Sequence, residues 1–169
     1  MAIKAKSLFL LPIVIVMLLA SACTSVNTGS SSSKELVAPY LLALDELIST
    51  DTALNTNMEY ISLVLNEGVP LTKPDKQAIE EYLQDKYNLR IYNYTYEQLI
   101  DQKLYEQDTT MLKGILLSIE KQNQSDDQNK MAIEVSKYRA NEGAIAIEII
   151  LAYQQGQWEI IGYGQMRQS

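Results

Sequence analysis

The sequence predicts an α+β domain in which N-terminal helices pack on a curved antiparallel sheet of four to five strands. Two observations carry this expectation. Apolar residues recur at helical spacing up to about residue 110, and at every second position after it. The second half is also divided into strand-length runs by sound turn sequences: Asn123 to Asn129, Asn141-Glu142-Gly143 and Gln155-Gly156.

Taken in order, Leu36, Tyr40, Leu44, Leu47 and Ile48 form the stripe of a first helix, with Pro39 tolerable near its start. Asp51 is positioned to cap a second helix carrying Leu54, Met58, Ile61 and Leu65, closed by Gly68 and Pro70. Thr72-Lys73-Pro74-Asp75 opens a third: a hydroxyl cap, a proline in the first turn and a carboxylate at the third position. That helix buries Ile79, Tyr82 and Leu83. A short strand from Leu89 to Tyr94 follows, and Thr95-x-x-Gln98 is a capping box for a brief fourth helix with Leu99, Ile100 and Leu104. Strands are then expected at 111–122, 130–140, 144–154 and 157–167. Ile115, Leu117, Ile119, Ile133, Val135, Ile145, Ile147, Ile149 and Leu151 should line one face, against which the helices pack.

Helices followed by a long antiparallel meander, ending in Gly156-Gln157-Trp158-Glu159-Ile160-Ile161-Gly162-Tyr163, resemble the nuclear-transport-factor-2-like (cone-shaped α+β) superfamily. The resemblance spans about residues 36–168. It implies a cone whose enzymatic members place an acid–base set such as Asp/His or Asp/Tyr inside. A cystatin-like fold is the rival architecture, but it carries a single helix where this sequence predicts several.

The first 22 residues have the character of a targeting segment. A short basic stretch (Lys4, Lys6) precedes an apolar run from Leu8 to Ala20, which spans only ~20 Å as a helix against ~30 Å of hydrocarbon. It ends in Ala20-Ser21-Ala22-Cys23, which resembles the lipobox of bacterial lipoproteins, with Ala20 where leucine is commonest. Ordinary cleavage after Ala22 is the competing interpretation. The resemblance implies a lipid on Cys23 and an extracytoplasmic, membrane-anchored chain. The expected organisation is therefore a signal peptide at 1–22, a lipidated cysteine and flexible polar tether at 23–34, and one domain at 35–169.

Composition excludes several chemistries. There is no histidine, and Cys23 is the only cysteine. Ser-His-Asp and Cys-His arrangements, imidazole or thiolate zinc sites and internal disulfides are therefore unavailable to a single chain. The net charge is −7, and the leader holds two of the fourteen basic groups and no acidic one. So acidic a domain disfavours nucleic acid as a partner. No cofactor or metal is expected. Asp126-Asp127 matches no calcium-loop spacing.

Two groups of residues remain as site candidates. Glu134 and Glu148 lie in neighbouring strands on the face opposite the isoleucines, among Ala132, Ser136, Tyr138, Ala144 and Ala146. They form either a solvated outer face or a ligand pocket in which proximity raises one carboxyl pKa. Tyr92, Tyr94 and Tyr96, with Trp158 and Tyr163, have the character of an interface, because tyrosine and tryptophan give contact area at little entropic cost; they also suit the rim of a core without phenylalanine. The expected function is a non-enzymatic protein-binding or assembly module of the cell envelope, its partner another envelope protein or a second copy. The alternative is a small-ligand-binding or enzymatic cone that uses a buried carboxylate.

Overall fold

The structure, a computed structural model, describes residues 30–109 and 111–169. The segment expected to be a signal peptide, Cys23 and the first part of the expected tether lie outside the described residues. Twelve elements follow in order among the described residues. Helix α1 (Ser30–Ser49) leads through a 3-10 turn (Thr52–Asn55) to β1 (Tyr60–Leu65), α2 (Lys73–Tyr87), β2 (Arg90–Tyr92) and α3 (Tyr96–Asp101). The two-residue strands β3 (Tyr105–Glu106) and β4 (Met111–Leu112) precede the long strands β5 (Ile115–Gln124), β6 (Lys130–Ala140), β7 (Gly143–Gln154) and β8 (Gln157–Gln168).

The main sheet has six strands in the order β2-β1-β5-β6-β7-β8, and β3 pairs with β4 separately. It is larger than the four to five strands expected, and it is mixed. The β5–β8 meander is antiparallel, while β1 runs parallel to both β2 and β5. The extra strand is the expected second helix. Asp51 adopts left-handed backbone (φ 48) and makes no side-chain cap, so only a single 3-10 turn follows it. Ile61, Leu63 and Leu65 then face the helices, while Tyr60, Ser62 and Val64 face the other way. The spacing of Leu54, Met58, Ile61 and Leu65 satisfies a helical stripe by coincidence. A strand apolar on both faces is what a sheet interior takes.

Two boundaries also shift. Helix α1 starts at Ser30, inside the segment expected to be tether, and Pro39 therefore sits in its interior. The expected run 111–122 breaks at Lys113-Gly114, where a Cβ on Gly114 would collide with the backbone and ring of Tyr60.

Elsewhere the local chemistry is as anticipated. Thr72 and Asp75 form a reciprocal capping box at α2, as do Thr95 and Gln98 at α3. The strand at 89–94 forms only over Arg90–Tyr92. All nine aliphatic residues expected to line the core face of β5, β6 and β7 are buried. Val37, Tyr40, Ala43, Leu44, Leu47 and Ile48 of α1 close over them, with Ile79 and Leu83 of α2. Each such Leu or Ile contributes roughly 1.5–3 kcal/mol by leaving water. Among the described residues no helix is long and apolar enough to cross a membrane.

Candidate functional site

The register of β6 and β7 sets Glu134 directly opposite Glu148. Both project from the outer face, away from α1, whereas the neighbouring core positions Ile133, Val135, Ile147 and Ile149 are buried beneath it. The two carboxylates do not form an isolated pair. Arg167 of β8 donates to Glu134, and Glu148 lies across Gly164, where a Cβ would strike its carboxylate. Ser136 Oγ donates to Glu120 Oε1 at 2.6 Å. Ser136, Tyr138, Ala144, Ala146 and Arg167 border a shallow hollow of about 290 Å3. Guanidinium and hydroxyl partners thus surround carboxylates on the sheet surface. Among the described residues the buried carboxylate is Asp75, which accepts from the Thr72 N–H and hydroxyl in the capping box of α2.

Of the residues expected at an interface, Tyr92, Tyr94 and Tyr96 pack partly buried around a second, smaller core on that outer face. Tyr60, Leu99 and Leu112 are buried at its centre, with Tyr92, Tyr94, Tyr96, Leu104, Tyr105, Leu116 and Tyr138 packed around them. Tyr92 meets Tyr60 edge-on at 5.4 Å and stacks on Tyr94 at 5.1 Å; Tyr96 meets Tyr138 edge-on at 5.3 Å. Tyr60 Oη donates to the Leu104 carbonyl at 2.6 Å. Ser62, fully buried, donates to the Tyr94 carbonyl at 2.7 Å and accepts from its N–H at 3.0 Å. This roof of α3 and its flanking loops covers one end of the sheet. Tyr138 Oη donates to Asn141 Oδ1 at 3.1 Å, so its polar end stays at the surface.

Sequence inspection missed a pair of buried cations. Lys137 is completely buried, and its Nζ donates to the carbonyls of Ile48 (3.3 Å), Thr50 (2.6 Å) and Asp51 (3.0 Å) and to Asn55 Oδ1 (3.1 Å). Arg139 donates to the carbonyls of Leu112, Leu54 and Thr56, the last at 2.5 Å. Lys137 therefore caps the C-terminal end of α1, where unpaired carbonyls and the negative pole of the helix dipole favour a cation. Burial pushes its ammonium pKa down to about 8, opposed by the Asp51 charge. A parity count from Ile133 and Val135 places both residues on the core face, which is the signal that was available.

On the other side of α1 an apolar groove of about 370 Å3 is lined by Leu41, Leu42, Tyr82, Tyr153 and Trp158, with Asp45 at its border. Asp45 accepts from Tyr82 Oη (2.5 Å) and Tyr87 Oη (3.0 Å) and pairs with Lys86 Nζ at 2.7 Å. Trp158 thereby lines a recess and packs on Tyr153, ring centres 5.5 Å apart. Tyr163 stands out on the surface, its hydroxyl donating to Glu46 Oε1 at 2.8 Å.

Among the described residues the large apolar side chains that remain exposed are Ile161 (47%), Tyr163 (53%) and Met166 (53%), all on β8. Among the described residues that strand ends the sheet, with β7 as its one neighbour. Among the described residues no three Asp, Glu, His or Cys side chains converge as a metal site; Asp127 pairs with Lys130 and accepts from the Asn129 N–H. No protein-family model matches the chain, and neither the curated proteins nor the solved structures compared with it give a match.

Proposed function

We propose that this chain is a lipid-tethered, extracytoplasmic module of a bacterial envelope that binds protein rather than catalysing a reaction. Its partner is another envelope protein or a second copy of itself. The observation that carries the reading is the gathering of Ile161, Tyr163 and Met166 on one open-edged strand. Such an edge offers backbone hydrogen bonds and apolar contact together, the two things strand addition uses. Surface carboxylates already held by partners, Glu134 by Arg167 and Glu120 by Ser136, add support. The address rests on the Ala20-Ser21-Ala22-Cys23 sequence.

A photo-crosslinker placed at position 161 of the full chain in cells should give a discrete protein adduct, whereas one at exposed Glu81 on α2 should not. Adducts to lipid alone at position 161 would remove the binding reading. Cys23→Ser should move a folded protein from the membrane to the soluble fraction. Unchanged membrane retention of that variant would dispose of the lipid anchor.

A second reading, capture of a small apolar ligand, is favoured by the groove at Leu41, Leu42, Tyr82 and Trp158. Trp158 is the only tryptophan, so a medium-chain fatty acid entering the groove should shift its emission. Emission that stays constant through millimolar ligand eliminates this alternative.

A further inference from the structure

We infer that β8 pairs antiparallel with β8 of a second copy of this chain, on a two-fold axis through Tyr163. This rests on the protein-binding reading above and names its surface and its partner.

The first ground is availability. The described sheet has two edges; β2 forms one with three residues, while β8 forms the other with twelve. An open strand of that length is a template for another strand unless its sequence discourages pairing. This one carries few charges and no proline, and it holds Ile161, Tyr163 and Met166 in solvent.

The second ground is that the strand complements itself. Reading outward from Tyr163, Gly162 would face Gly164 of the second copy, Ile161 would face Gln165, Ile160 would face Met166 and Glu159 would face Arg167. The two-fold axis repeats each contact, so two Glu–Arg pairs flank an apolar centre in which Tyr163 meets Tyr163.

The third ground is that the faces agree. Antiparallel partners must project from the same side of the sheet. Pairing with β7 puts Ile160, Tyr163 and Met166 opposite the core-facing Leu151, Ile149 and Ile147. It puts Glu159, Gly162 and Arg167 opposite Ala152, Ile150 and Ala146, on the outer face. The two register shifts in β8 fall between Ile160 and Gly162 and between Tyr163 and Met166. The bulges thus lie one on each side of Tyr163. The core-side residues recur at equal intervals from the centre, and two copies of the bulged strand can run together without losing phase. Arg167 is 62% exposed in its side chain, which leaves it room to serve Glu134 of its own chain and Glu159 of the other.

The test is sedimentation equilibrium of the full chain in detergent, together with charge-reversed variants. Arg167→Glu and Glu159→Arg should each weaken dimerisation about tenfold, since each replaces two attractive rim contacts by two repulsive ones. The double variant should return to within about threefold of the parent. It does not restore Arg167–Glu134, so recovery reports the contact between copies. On mild oxidation Tyr163→Cys, at the axis, should form a disulfide dimer that neither Glu159→Cys nor the parent with Cys23 alone forms. Amide exchange at residues 162–164 of the unaltered chain should slow as concentration rises, a readout that needs no variant. A chain that stays monomeric into the millimolar range, a double variant that does not recover, or equal crosslinking at 159 and 163 overturns the proposal. If the chain stays monomeric while position 161 captures a different envelope protein in cells, self-pairing fails and the binding module stands. If position 161 captures no protein at all, both fail.

Discussion

Lys137 Nζ and the Thr50 carbonyl oxygen lie 2.6 Å apart, joining the middle of the sheet to the residue just past the end of α1. No acidic side chain takes part in this contact. Three backbone carbonyls and one amide oxygen hold the cation. Lys137→Met keeps most of the apolar stem but strands those acceptors in a buried site. We expect a loss of about 2–4 kcal/mol in urea unfolding, with an unchanged slope against denaturant. A variant as stable as the parent would mean that water reaches the helix end.

The pH dependence follows from two opposed titrations. Burial depresses Lys137 from its ordinary 10.5 to about 8. Between those values the unfolded chain holds the proton more tightly than the folded one, so stability rises with pH from about 8 upward. Tyr40 and Tyr60 are pushed up from 10 to about 12, chiefly by burial. Their contribution is fully present below pH 10 and is lost between 10 and 12. The urea midpoint should therefore climb from pH 8 toward pH 10 and fall steeply beyond, with each group limited to about 1.4 kcal/mol per pH unit. Lys137→Met should abolish the climb and keep the fall.

Gly114 lets the sheet and the tyrosine roof approach each other, since a Cβ there would collide with the Tyr60 carbonyl and ring. Gly114→Ala should cost about 2–3 kcal/mol or more, because both obstacles are fixed by neighbours. Thermal melting of Gly114→Ala beside Gly162→Ala isolates the effect, as a Cβ at Gly162 meets only Ile150 at an ordinary 3.9 Å.

Asp45 ties α1 to α2 by accepting from both Tyr82 and Tyr87 and pairing with Lys86. Burial first, and the Asp45 charge second, hold the Tyr87 hydroxyl well above the usual tyrosine range. Asp45→Asn should bring Tyr87 ionisation to lower pH in an ultraviolet difference titration while leaving it above 10. It should also cost about 1–2 kcal/mol through loss of the charge-assisted bonds. An unmoved tyrosine titration would show that burial alone sets that pKa.

Much of this architecture is legible in the sequence wherever one local rule acts alone. Thr72 with Asp75 and Thr95 with Gln98 name their helices because a capping box is complete within four residues. The β5–β8 meander is legible because its alternation runs uninterrupted between good turns. Residues 60–65 are not, because Leu54, Met58, Ile61 and Leu65 fit a helical stripe as well as a strand. Parallel pairing of β1 with β2 and β5 decides the matter from a distance. Lys137 and Arg139 escape notice for a different reason. Charged residues are ordinarily assigned to solvent, and only the helix end, strand and loops that deliver carbonyls to them make burial tolerable. The complementarity of β8 about Tyr163 is invisible until pairing with β7 fixes which of its residues share a face.

The position of α1 also has a mechanical consequence. It is the first described element, and it lies along α2, β6, β7 and β8 with its far end clasped by Lys137. Tension entering from the amino-terminal side would run along the axis of this helix. Its contacts would be loaded together, in shear, instead of being peeled away one by one. Single-molecule pulling from residue 30 should record one abrupt rupture.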